Sequence, residues 1–186
     1  MRFVYASALA ALVLAFPFQA AGQEYQPSYE NPSGSEIVAV YLTASACGPC
    51  IGPEMPELID SVKVQLKRQA DARGQRFRAV FVGMDWDPDD SIALAKRDGS
   101  WDELVVGRNW FNLGAEQYIW GDPDTTPAMP QFIVIEQDIR TDGGIKFGER
   151  HVLVRVMGPD QLGAWVEEGS PIPASPGQNG NPEPTR

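Results

Sequence analysis

The chain is 186 residues long, 43% hydrophobic and 22% charged, with 25 acidic against 15 basic side chains and a formal net charge of −10. That length and composition suit one ordinary domain with its own core and exclude a wholly disordered chain. The acidic balance repels nucleic acid and anionic lipid headgroups, so neither is an expected partner.

Residues 1–22 read as a secretory signal. Arg2 supplies positive charge, Phe3 to Phe16 are apolar except Ser7, and Ala20-Ala21-Gly22 offers small residues for cleavage. Pro17 and Gln19 stop the apolar run short of the roughly 20 residues a spanning helix needs, so no stable membrane insertion is expected after cleavage. An uncleaved anchor is the alternative. Export implies a periplasmic or extracellular setting, where disulfides persist. Residues 23–35, polar and containing Pro27, Pro32 and Gly34, read as a linker. The folded part is expected at 36–168. Residues 169–186, with five prolines among glycine and serine, read as a disordered tail.

Within the folded part, Ile37 to Leu42 is a β-branched, apolar run and predicts a buried strand over 36–42. A helix is predicted from Pro49 to about Arg73, with Leu58, Ile59, Val62, Val64 and Leu66 near helical spacing. A second strand follows at 76–84 through Phe77, Val80, Phe81 and Val82. Asp89-Asp90-Ser91 supplies N-cap chemistry for a helix over 92–97. Residues 99–128 hold Trp101, Trp110, Phe111, Tyr118 and Trp120 and read as an insertion with short helices at 101–107 and 114–119. A strand at 131–135 comes next, then a turn at 141–144, a strand at 150–157 and a helix at 159–167. Helical crossovers imply parallel pairing and the tight turn an antiparallel hairpin. The expected fold class is α/β, a central mixed β-sheet flanked by helices.

The chain's two cysteines form one motif, Cys47-Gly48-Pro49-Cys50, at the first strand-to-helix junction. Two intervening residues bring the sulfurs close enough for a reversible disulfide. A helix N-terminus at Cys47 would favour the thiolate, the species that attacks disulfides. Two other readings stay open. A zinc site needs further ligands of its usual kind, and only His151 and carboxylates remain, so no metal is expected. An inert disulfide is the other.

Strand, C-G-P-C, second strand, helix, then a strand led by Met129-Pro130-Gln131-Phe132 resembles the thioredoxin fold over about 36–168. The resemblance implies that Pro130 is cis and packs beside the disulfide, while Pro127 is an ordinary trans turn proline. It also puts Gly158 where the family often has a glycine beside the active site. Ile51 to Leu58 and Gly83 to Pro88 resemble exported thioredoxin-like thiol-disulfide proteins, including those serving cytochrome c maturation. Three positions depart from the family. Ala46 replaces the aromatic residue before the first cysteine, Tyr41 the buried carboxylate, and Phe81 the lysine that often accompanies it. The usual proton relay for Cys50 is therefore missing. Glu54, one turn on, is a possible substitute or a solvated surface residue. His151, a lone imidazole, reads as structural.

The activity implied is thiol-disulfide exchange by an exported oxidoreductase. Cys47 is the attacking residue and Cys50 the resolving one. Gly48 leaves room for a partner's backbone, Pro49 fits a first helical turn, and Met129 and Pro130 offer the partner an edge, with Pro130 presenting backbone groups. The dithiol carries both electrons, so no cofactor is called for. Partners are expected to be disulfide or dithiol proteins and an upstream electron donor. The rival is a thioredoxin-fold binding module with a static disulfide, its 99–128 insertion recognising the partner. Copper delivery is a third reading, typically served by wider cysteine spacing and a placed histidine.

Overall fold

The computed structural model describes residues 24–27, 33–123 and 125–174. β1 (Gly34–Thr43) is buried almost throughout because both its faces are covered. Ile37, Ala39 and Tyr41 point into one core, and Val38, Val40 and Leu42 into the other. This two-sided burial explains the unbroken apolar run in its sequence. β2 (Arg76–Gly83) and β3 (Glu103–Val105) continue the sheet in parallel on one side. β4 (Gln131–Arg140) and β5 (Lys146–Met157) extend it antiparallel on the other, giving the order β3-β2-β1-β4-β5. The central mixed sheet flanked by helices is as the sequence predicts.

On one face lie α1 (Met55–Ala72), α2 (Pro88–Arg97) and the helix Gly158–Glu167. Their apolar stripes, including Ile59, Val62, Leu66, Leu94, Leu162 and Trp165, close over Ile37, Ala39, Phe77 and Phe132. The insertion covers the opposite face. There a short helix, α3 (Leu113–Ala115), runs into a π-helical turn at Glu116–Trp120 and seats Ala115, Tyr118 and Ile119 on Val38, Val80 and Ile133. The helix Gly158–Glu167 is therefore α4. The 99–128 segment is thus partly core.

Several elements differ from the sequence expectation. The helix over 49–73 is split. Gly48–Ile51 is a single 3-10 turn, and α1 begins only at Met55. Pro53 has no N–H to return to Pro49, and its ring would clash with that carbonyl, so one continuous helix cannot form. Pro56 is tolerated because it falls in the first turn of α1. Asp87, not Asp89 to Ser91, caps α2, accepting from the Asp89 N–H at 2.9 Å. The helix expected at 101–107 is replaced by β3. The open edge of β2 takes it up, and Arg78 pairs with Glu103 at 2.7 Å across the two strands.

The folded unit also extends past 36–168. Tyr25, in the expected linker, is buried edge-on against Phe77 with ring centroids 5.4 Å apart, and its hydroxyl donates to Asp102. Residues 169–174, expected in the tail, run along α1. Gln69 donates to the Ser170 carbonyl at 2.8 Å, Arg73 donates to that of Ile172 at 2.8 Å, and Ile172 is buried. The signal-like segment 1–22 and residues 175–186 lie outside the described residues. Among those described, no helix is long and apolar enough to cross a membrane.

Gly114 allows the insertion to close on the sheet. A Cβ there would sit 2.5 Å from a methyl of Val82, a side chain with little freedom to move. Gly114→Ala is expected to destabilise the fold by about 1–3 kcal/mol. A shifted urea midpoint at unchanged m-value is the readout, and an unmoved midpoint contradicts this packing.

Candidate active site

Because β1 and β2 are parallel, their C-terminal ends lie side by side, and antiparallel β4 begins at the same edge, Gln131 opposite Leu42. The loops after Thr43 and Gly83 and the residues before Gln131 therefore meet. A cleft of about 370 Å³ opens between them, with Ala44, Cys47, Met84, Trp86, Asn109 and Met129 in its lining.

Cys47 and Cys50 are joined by a disulfide, their Cα atoms 5.2 Å apart. Their surroundings are unequal. Cys47 is partly exposed at the cleft, whereas Cys50 is fully buried. Gly48 and Pro49 are exposed between them. The turn is held by Cys50 N–H donating to Cys47 C=O at 2.9 Å and Cys47 N–H donating to Ala44 C=O at 3.2 Å. Cys47 does not cap a long helix, as its sequence context suggested. It precedes one 3-10 turn, and the field of α1 starts eight residues later.

Asp85 fastens this loop and was not singled out from sequence. It is buried, and one carboxylate oxygen accepts from both the Ser45 N–H at 2.9 Å and the Ser45 hydroxyl at 2.7 Å. Its other oxygen accepts from the Ser91 hydroxyl at 2.7 Å. One side chain thereby ties the residues before Cys47 to the start of α2. The stretch Gly83 to Pro88 carried the hint, but only tertiary contact shows which of its two aspartates faces inward.

The relay positions hold rings in the core on the α1 face of the sheet. Tyr41 stacks on Phe132 with centroids 4.8 Å apart and on Trp101 at 5.9 Å, and meets Phe81 edge-on. Burial pushes the Tyr41 hydroxyl well above its usual range, so it keeps its proton and is no base. Buried charge has moved elsewhere. Lys63 is fully buried in α1, donating to the carbonyls of Asp98 at 3.3 Å and Ser100 at 3.1 Å, 4.5 Å from the Trp101 ring centre. Burial lowers its pKa, opposed by the Asp60 and Asp98 carboxylates. Arg97 joins this group to the site, donating to the Asp98 carboxylate at 2.6 Å and to the Cys50 carbonyl at 3.0 Å. Lys63 was detectable in principle. It shares the helical stripe of Ile59, Leu66 and Ala70, a spacing that places it inward.

Met129–Pro130 is the one cis peptide bond among the described residues, and Pro127 is trans. Pro130 is buried, and its carbonyl accepts from Gly158 N–H at 2.8 Å. Pro130 thus has no N–H to offer, and its carbonyl already accepts one hydrogen bond. Met129 lines the cleft with Cys47. Glu54 is exposed and folds over Gly52. His151 pairs with Glu136 on β5, five residues along β4 from the site edge, about 16 Å away at strand spacing. Among the described residues no cluster of His, Cys, Asp or Glu could hold a metal ion.

Strand order, cis proline and a C-x-x-C turn at the end of β1 together make this the thioredoxin fold. No protein-family model and no curated protein matches the chain. Solved structures similar to it include a thiol-disulfide oxidoreductase from Bacteroides fragilis, at 20% identity and TM-score 0.40, over 72% of this chain and 80% of that one. Another is a thioredoxin-family thiol:disulfide interchange protein from Chlorobium tepidum, at 13% identity and TM-score 0.37, over 77% and 99%. A third is the thioredoxin domain of a thiol-disulfide oxidoreductase from Bacteroides vulgatus, at 16% identity and TM-score 0.35, over 72% and 78%.

Asp85→Ala leaves the Ser45 N–H and two hydroxyls without their acceptor and is expected to cost about 1–3 kcal/mol of stability. Asp85→Asn, which keeps one acceptor, should cost less; equal stability of all three proteins in urea contradicts the fastening role. Asp98 makes a pH prediction. Burial raises its pKa above the ordinary 3.8, with Arg97 opposing. A carboxyl that holds its proton more tightly when folded stabilises fully below its unfolded pKa and loses that contribution as pH rises through the folded one. The stability of the native protein relative to Asp98→Asn should therefore be greatest below pH 3.8 and decline as pH rises beyond it. A difference independent of pH contradicts this.

Proposed function

We propose that the chain is a thiol-disulfide oxidoreductase that works outside the cytosol, exchanging its Cys47–Cys50 pair with partner proteins. The supporting observation is the asymmetry of the pair: one sulfur is reachable from an open cleft and the other is buried directly behind it. A static staple has no use for that difference. Export rests on the signal-like residues 1–22 and on the compartments in which a disulfide survives.

In the reduced protein, the Cys47 thiolate attacks a partner disulfide. One partner sulfur leaves as a thiolate, and a Cys47–partner mixed disulfide forms. Cys50 then loses its proton and attacks Cys47, releasing the second partner thiolate. The partner has gained two electrons and the Cys47–Cys50 pair has given them up. The reverse sequence reduces the pair again at the expense of an electron-donating dithiol. No cofactor enters, because the two sulfurs carry both electrons. Gly48 and Pro49 leave the approach to Cys47 open, and Met129 meets the partner's backbone from the far side of the cleft, as an added strand would be met.

No buried base lies at position 41 or 81 to take the proton from Cys50. This favours a slower or narrower enzyme than a general disulfide reductase, and it gives the static-disulfide binding module its remaining weight. Trapping separates the two. Cys50→Ser should accumulate mixed disulfides with partner proteins through Cys47, resolved by dithiothreitol, whereas Cys47→Ser should accumulate none. Trapping through Cys50 alone reverses the roles, and no trapping by either variant, with partner binding kept by the double Cys→Ala protein, establishes the binding module.

A further inference from the structure

Thiol-disulfide exchange needs a partner, and the wall of the Cys47 cleft carries a chemistry that selects one. Trp86, in the loop after β2, is 68% exposed although it lines the cleft. Its ring stacks on that of Phe111, itself 69% exposed, with centroids 6.2 Å apart. The two rings come from segments 25 residues apart in sequence, so tertiary structure builds this platform beside the reactive sulfur. Neither side chain is needed to fill either core. Large exposed aromatics brought together in this way mark an interaction surface.

The rim next to the platform is acidic. Asp87, Asp89 and Asp90 are all exposed, and no Lys or Arg among the described residues pairs with them. Asp87 caps α2, but Asp89 and Asp90 exceed what capping requires. Asp85 is not part of this charge, since both its oxygens are occupied. An indole face and unpaired carboxylates favour the same thing, a Lys or Arg side chain. A bilayer with anionic headgroups and a second copy of a chain at −10 are both repelled by this rim.

We propose that Trp86, Phe111 and the Asp87–Asp90 rim are the partner-docking wall of the cleft. The partner they fit is a polypeptide segment carrying, beside the cysteine it presents to Cys47, a bulky apolar side chain and a lysine or arginine. The apolar side chain covers the rings while the cation sits between the Trp86 face and the rim. This rests on the thiol-disulfide exchange reading and adds the substrate class to it.

The test uses two synthetic peptides with the same internal disulfide, one flanked by Leu and Lys, the other by Ser and Glu. The reduced full chain is mixed with each, and the rate of peptide reduction is measured at low and high salt. The cationic, apolar peptide should react about tenfold faster at low salt, with the advantage falling as salt is added. The Trp86→Ala/Phe111→Ala double variant should bring the ratio of the two rates within about twofold, and Asp89→Asn/Asp90→Asn should remove its salt dependence. A ratio of rates is insensitive to the fraction of correctly folded variant. Equal rates for both peptides in the native protein overturn the proposal, as does a preference that survives in the double variant. So does loss of self-association or of binding to anionic vesicles as the main effect of the aromatic substitutions. Hydroxyethyl disulfide, which has no side chains to select, separates the two levels: its reduction by the native protein without peptide preference defeats the docking wall alone. Failure to reduce any of the three disulfides defeats the exchange reading beneath it.

Discussion

The double pairing of β1 is the constraint on which the rest depends. One edge is paired in parallel with β2 from Glu36 to Thr43, and the other antiparallel with β4 from Gly34 to Leu42. Parallel pairing puts the ends of β1 and β2 together, and antiparallel pairing puts the beginning of β4 beside them. Cys47, Asp85 and Met129, far apart in sequence, share a cleft for this reason. A one-residue slip of β1 would exchange Tyr41 and Leu42 between the two cores, so burial on both faces also locks the register.

A buried carboxylate under a redox pair is costly unless paired, and here the strands supply stacked rings instead. Tyr41, Phe81, Trp101 and Phe132 pack together in the core, with edge and stacked contacts worth about 0.5–1.5 kcal/mol per pair beyond their area. The ionic groups sit one layer away, where Lys63 pins the chain at Asp98 and Ser100 and Arg97 grips both Asp98 and the Cys50 carbonyl. Trp101 belongs to both layers, under the Lys63 ammonium and against Tyr41. The insertion it introduces is accordingly part of the core before it is anything else.

Much of this was legible in the residues. The apolar runs of β1, β2 and β4, the C-x-x-C pair and the strand-leading Pro130 led to the sheet and to the site. What escaped follows from physics that single residues do not display. The split of the first helix turns on Pro53 facing Pro49, and was masked by the apolar spacing further along. β3 forms because β2 offers an open edge, which outweighs the local pattern of 101–107. Tyr25 and Ile172 are buried by α1 and β2, although their neighbours have the composition of linkers. Asp85 resembles any surface charge until the elements that enclose it are assembled, whereas the inward spacing of Lys63 on α1 was there to be read.

Whether Cys47–Cys50 is an exchanging pair or a staple is decided by its reduction potential. Equilibration of the purified chain with glutathione redox buffers is expected to give a value above about −300 mV, where physiological thiols can open the bond. A value below that limit, with the disulfide intact against the glutathione pool, would contradict the exchange reading.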